Sequence, residues 1–254
     1  MLVRLVMMDI ITVKYREKEI LKKRRLVGDL FTQRSANVKS PDIKVISDND
    51  LALLFELYDH VFFQGWFADN FPGTLGFKLS RRMTKSAGIT SCPRNIDLSR
   101  PESMKLEVRI SLDFIFHYDI VKGSHMVSGL PTKNSLQALQ LVFEHELVHV
   151  MEFVHFRRSN CHQERFQTIA RNLFGHTDSY HQLPTTQQIA RQKLGIVPGD
   201  KISFPYEGKR LEGFIHRINK RATVMVSDQR GDFSDHKGNR YTKYYVPLSI
   251  IRKI

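Results

Sequence analysis

SLQALQLVFEHELVHVMEFVHFRRSNCHQERF, residues 135–166, decides how this chain is read. Leu136, Leu139, Gln140, Phe143, Leu147 and Met151 recur at three- and four-residue intervals, and Leu141, Val142, Val148 and Val150 make the segment apolar on nearly every side, so it is expected to form a buried helix. His145 and His149, four residues apart, then share one face with Glu146 beside them. Burying unpaired polar groups costs roughly 2–7 kcal/mol each, and a metal ion held between the imidazoles removes that cost. Catalytic zinc takes three protein ligands and keeps one position for water, so a third donor must come from beyond the pair. His155 has the spacing of motifs that turn back sharply at a glycine, but Glu152 stands where that glycine is needed. A continuing helix would carry His155 about 240° round from His149. His162 follows the polar break Arg157-Arg158-Ser159-Asn160, where the helix can end and the chain return, and is the favoured third ligand; Glu164 is a lesser candidate.

The pattern HELVH, with His155-Phe156 after it and then His162 followed by Glu164-Arg165-Phe166, resembles the SprT-like metalloproteases, a family that includes the Spartan-type proteases of DNA–protein crosslinks. Leu57 to Phe63, Ser86 to Thr90 and Val108 to Leu112 are similar to that domain's opening helix and sheet, and the likeness covers about Asp48 to Leu194. The resemblance implies a zincin-like domain and a Zn2+ cofactor on His145, His149 and His162. It further implies Glu146 as general base, and substrates that are proteins bound or crosslinked to DNA. Two features depart from the family: Gln163 replaces the glycine that often follows the third histidine, and with only Cys92 and Cys161 the chain cannot build the four-cysteine ribbon many members carry.

Composition narrows the remaining classes. The 254 residues carry a net charge of +13, divided as +6 over residues 1–46 (11 Lys/Arg, 5 Asp/Glu), +1 over 47–196 (16, 15) and +6 over 197–254 (12, 6). A near-neutral centre flanked by basic ends suits an enzyme brought to a polyanion, DNA being the expected partner, although basic ends also serve solubility alone. Two cysteines without repeated spacing argue against a disulfide-built secreted protein. The opening MLVRLVMMDIITV is broken by Arg4 and Asp9 and is too short to cross a bilayer. An intracellular monomer, cytoplasmic or nuclear, is expected, with an organelle transit segment left open.

The expected fold class is α+β: a basic extension over 1–46 with a short basic helix between Tyr15 and Phe31, a protease domain of helices and a small sheet over 47–196, and an SH3-like β-barrel over 197–254. Ser47 and Asp50 open a helix whose stripe is Leu51, Leu54, Phe55, Tyr58, Val61 and Phe62; Trp66 and Phe67 read as core. Strands are expected near Phe77–Leu79, Ala87–Ser91 and Glu107–Leu112, and a loop over 121–132. A helix follows over Gln163–Leu173, then a polar cluster over 176–181 able to assist zinc ligands. Lys209, Arg210, Arg217, Lys220 and Arg221, near Phe204, Tyr206 and Phe214, are the candidate nucleic-acid contacts. Two alternatives stay open: a nucleic-acid-binding adaptor whose zinc is structural, closed by Cys161 or Glu164, and a metzincin-like peptidase using His155.

Overall fold

The computed structural model describes residues 10–83, 86–118, 125–179, 190–192, 194–219 and 221–254, and six α-helices and eleven strands lie wholly within them. The architecture is mixed α and β, and the chain divides into two compact units, the described residues through 179 in the first and those from 190 onward in the second. No helix among the described residues is long and apolar enough to cross a membrane.

The first unit is built on α5, Ser135–Phe156. Its apolar residues recur all round the helix, and sixteen of its twenty-two residues are buried, from Ser135 through Glu152. The Asn134 side chain accepts from the Gln137 N–H at its start, and Arg157 in a left-handed conformation (φ 58°) closes it. The helix thus runs past Glu152, as the missing glycine predicts. Packed against it are α1 (Glu17–Arg34) and the later α6 (Glu164–Phe174), and α2 (Asp48–Phe63) reaches it through Tyr58, which meets Phe143 and Glu144. At the start of α2 the Ser47 N–H donates to the Asp50 carboxylate at 2.8 Å, a capping interaction made by aspartate in place of the usual glutamate. The short α3, Trp66–Asn70, buries Trp66 and Phe67 in the core.

Three strands lie alongside: β1 (Thr74–Ser80), β2 (Gly88–Ser91) and β3 (Lys105–Ser111), in the order β1-β3-β2, with β3 parallel to β1 and antiparallel to β2. A one-turn α4 (Leu112–Phe116) follows. Within the expected loop, β4 (His125–Val127) and β5 (Leu130–Thr132) form a hairpin turning on Ser128 (φ 51°) and Gly129 (φ 76°), while residues 119–124 lie outside the described set. Three-residue strands are too short to show alternation, which is why the sequence reads as loop there.

The basic stretch expected as an extension is part of this unit. Ile10, Val27 and Phe31 are buried in the same core as α5, and the Tyr15 N–H bonds to the Asn172 carbonyl at 3.0 Å. Its basic residues include two that are tied inward, Arg24 and Lys23, the latter donating to the Val61 carbonyl at 2.7 Å. The boundary also falls earlier than residue 197: Ala190 and Ile196 belong to the second core, with Ile202, Phe204, Ile215, Val224 and Val246.

That second unit is a six-stranded sheet: β6 (Lys201–Tyr206), β7 (Lys209–Ile218), β8 (Arg221–Ser227), β9 (Phe233–Ser234), β10 (Arg240–Pro247) and β11 (Arg252–Lys253), in the order β11-β6-β7-β8-β10-β9 and antiparallel throughout. Core residues recur at alternate positions, Ile202 and Phe204 on β6, Ala222 and Val224 on β8, Tyr244 and Val246 on β10, and a bulge lies between Ile215 and Arg217 of β7.

Candidate metal centre

The apolar wrapping of α5 leaves its polar residues few partners, and each has a distinct one. His145 is buried, its ring centroid 5.0 Å from that of His149, and Phe166 of α6 packs on both imidazoles at 4.8 and 4.5 Å. His149 Nδ1 lies 2.6 Å from Ser159 Oγ, and that hydroxyl donates to Glu152 Oε2, also at 2.6 Å. Because the serine proton goes to the carboxylate, the hydroxyl accepts from His149 Nδ1–H, leaving Nε2 with its lone pair as a metal ligand needs. Glu152 is fully buried and is held in turn by Arg165 Nε at 2.6 Å and the Asn160 N–H at 3.2 Å. The residue that occupies the missing-glycine position therefore orients His149.

His145, His149 and Cys161 present ligand atoms that all lie within 4.8 Å of one another. Tetrahedral zinc with N and S ligands separates its donors by about 3.3–3.8 Å, so roughly 1 Å of closure would seat an ion, and this donor set fits the metal. His162, expected as third ligand, is exposed, anchored by its own N–H to Asn160 Oδ1 at 2.9 Å, and falls outside that group. His155 stacks on Trp66 with centroids 5.0 Å apart, away from the pair, as the continuing helix requires. Glu164 is exposed at the first turn of α6. Burial pushes the Cys161 thiol up, and the Glu146 and Glu152 carboxylates add to this.

Glu146 faces β2. The Thr90 hydroxyl donates to its Oε2 at 2.7 Å, and a Cβ added to Gly88 would stand 2.5 Å from its Oε1. Burial raises the Glu146 carboxyl to about 7, against the lowering effect of the Thr90 bond. A cation between His145 and His149 would act in the opposite direction. Thr90 and Gly88 carry no sequence signal beyond lying in a short strand; Ser159 and Glu152 are visible only as polar residues at the edge of an apolar helix.

On the far side of α5, Glu144 is completely buried and accepts four hydrogen bonds: from Arg24 Nε and Nη2 at 2.8 and 2.7 Å, from the Tyr58 hydroxyl at 2.7 Å and from His176 Nε2 at 2.9 Å. His176 is thus the buried member of the polar cluster expected to assist the zinc ligands, and its partner is Glu144; Tyr180 and His181 lie outside the described residues. In the second unit Lys209, Arg210, Arg217 and Arg221 are exposed, and Lys220 lies outside the described residues. Phe204 is withdrawn into the core, Tyr206 is exposed, and Phe214 is half-buried against Tyr241.

No protein-family model matches this chain, and no curated protein sequence matches it.

Proposed function

We propose that the protein is a zinc-dependent metalloendopeptidase of SprT-like type, with a zincin-like first unit and an SH3-like second unit, acting on proteins bound or crosslinked to DNA. The observation that carries the reading is the pairing of His145 and His149 on a buried helix with a buried, proton-accepting Glu146 beside them. His145 and His149 would hold the ion, with the third donor from the Cys161–His162 pair. When bound there, zinc supplies Lewis acidity that activates water and polarises the scissile carbonyl. Glu146 accepts the water proton on its carboxylate and passes it to the leaving amine. Thr90 fixes Oε2, which leaves Oε1 for that transfer. Strand β2 pairs only with β3, so its other edge is free among the described residues to align substrate backbone beside Glu146 by strand addition. The basic residues of the second unit would bring the enzyme to DNA.

The test is cleavage of a DNA-binding protein by the purified chain, with and without DNA, with and without a chelator. Loss of cleavage on chelation and its return with zinc are expected; chelator-resistant cleavage would overturn the reading. Metal analysis should give one zinc per chain. His162→Ala and Cys161→Ser are each expected to retain less than His155→Ala, and retention by both would move the third donor elsewhere. Gly88→Ala should keep zinc but lower cleavage by about 10²-fold, because its Cβ displaces the Glu146 carboxylate. Unchanged cleavage in that variant would remove Glu146 from its position against β2.

One observation favours a second reading, an adaptor with a structural zinc. Cys161 and His162 are adjacent, and if both bound alongside His145 and His149 the four donors would close the site to water. That protein would bind zinc and nucleic acid and cleave nothing.

A further inference from the structure

The register of the second sheet separates its two faces. Ile202, Phe204, Ile215, Val224, Tyr244 and Val246 point into the core, so the residues that alternate with them lie on the opposite face, where Ser203 and Met225 are nonetheless buried. Across the outer face, Lys201 pairs with Phe214, Phe214 with Met225 and Met225 with Lys243. One row away, Arg217 pairs with Thr223 and Thr223 with Tyr245; on the other side Ser227 pairs with Tyr241 and Tyr241 with Phe233. The result is a face of aromatic rings interleaved with basic side chains. Phe233 and Tyr245 are 40% and 61% exposed, which is unusual for rings on a sheet with its own core. Lys243 Nζ sits 4.1 Å from the Phe233 centroid and 5.6 Å from that of Tyr245, so the ammonium is already placed between the two rings. Glu212, next to Phe214 on β7, and Asp235, which accepts from the Tyr241 hydroxyl at 3.0 Å, are the nearby acids.

We propose that this outer face binds single-stranded DNA, stacking bases on Phe233 and Tyr245 while Lys201, Arg217 and Lys243 meet the phosphates. The proposal rests on the DNA-directed reading above and refines it: of the basic residues expected from sequence, Arg217 lies in these rows, and Arg210 and Arg221 share the outward parity of Phe214 and Thr223 on their strands. Exposed rings favour a single strand because its unpaired bases offer π-faces, whereas a duplex hides them in its own stack and would engage charge alone. Residues 197–254 carry 12 Lys/Arg against 6 Asp/Glu, the balance expected for a polyanionic partner.

The test is fluorescence anisotropy of the full-length protein with a labelled 20-nucleotide oligo(dT) and, separately, a labelled 20-base-pair duplex across a salt series. Phe233→Ala and Tyr245→Ala are each expected to weaken oligo(dT) binding by about 5- to 100-fold, leaving duplex affinity and the salt slope unchanged. Tyr245→Phe, which keeps the ring, should bind as the unaltered protein does. Lys209→Glu with Arg210→Glu should weaken both probes and flatten both slopes. If the ring variants bind oligo(dT) normally while charge reversal weakens it, the platform is overturned and the DNA reading stands. If the unaltered protein binds neither probe at low salt, both fall, and zinc-dependent cleavage, read separately, is untouched.

Discussion

Glu146→Gln is expected to lower peptide-bond cleavage by about 10²- to 10⁴-fold, the usual contribution of a positioned general base. The amide is nearly isosteric, and the Thr90 hydroxyl can still donate to its carbonyl oxygen, so fold and zinc content should be kept. What changes is that no group beside His145 and His149 can take a proton. Burial raises this carboxyl to about 7 and a cation between His145 and His149 would lower it, two opposed influences on a group that must both accept and release a proton. Cleavage within a few-fold of the unaltered protein would end the general-base assignment. Absence of cleavage from both forms, with zinc bound, would favour the adaptor.

Arg24→Ala should destabilise the first unit by about 3–5 kcal/mol, among the largest effects a single substitution there can have. It removes two hydrogen bonds and the compensating charge from a carboxylate with no solvent contact, and also the bond from Arg24 to the Phe174 carbonyl at 2.7 Å. Although burial alone would raise it, the Arg24 charge and the His176 bond hold the Glu144 carboxyl below its ordinary value of 4.5. Its stabilisation is therefore complete above 4.5 and is lost as pH falls through the lower folded value. His176 is held below 6.5, chiefly by burial and against the pull of Glu144, so its neutral form donates Nε2–H; its contribution too is present above 6.5 and declines on acidification. Calorimetric melts from pH 8 to well below pH 4 should show both the acid loss and a weaker acid dependence in the variant. A melting temperature unchanged by Arg24→Ala would contradict the network.

Much of this candidate site was legible because donors that share one helix face must be spaced three or four apart, and the apolar residues around His145 and His149 required the same helix independently. His155 could be set aside from sequence for a sound reason: Glu152 does not end the helix, and His155 rotates onto Trp66. The same argument favoured His162, whereas Cys161 is the residue whose ligand atom lies with those of His145 and His149. Both follow the polar break at Arg157–Asn160, where no periodicity constrains which side chain turns back. Gly88 and Thr90 were invisible for another reason, since their roles arise from the approach of β2 to α5, a contact between residues more than fifty positions apart. The N-terminal segment was read by charge, as a basic extension with a short basic helix standing apart from the protease domain. Burial of Val27 and Phe31 on the same helix decides otherwise. In the second unit alternation identified the strands but not the faces, so Phe204, grouped with the basic residues from sequence, proved to be core, while Phe233 and Tyr245 carried no expectation.

The Arg24–Glu144 pair spans 120 residues of chain. During synthesis at about 5–20 residues per second, the first helix leaves the ribosome roughly 6–24 s before the carboxylate it must meet. Over that interval Val27 and Phe31 have no α5 to cover them, and the guanidinium keeps the segment hydrated. One basic residue thus serves the nascent chain as a solubilising group and the finished protein as the tie between its first helix and the helix that carries His145 and His149.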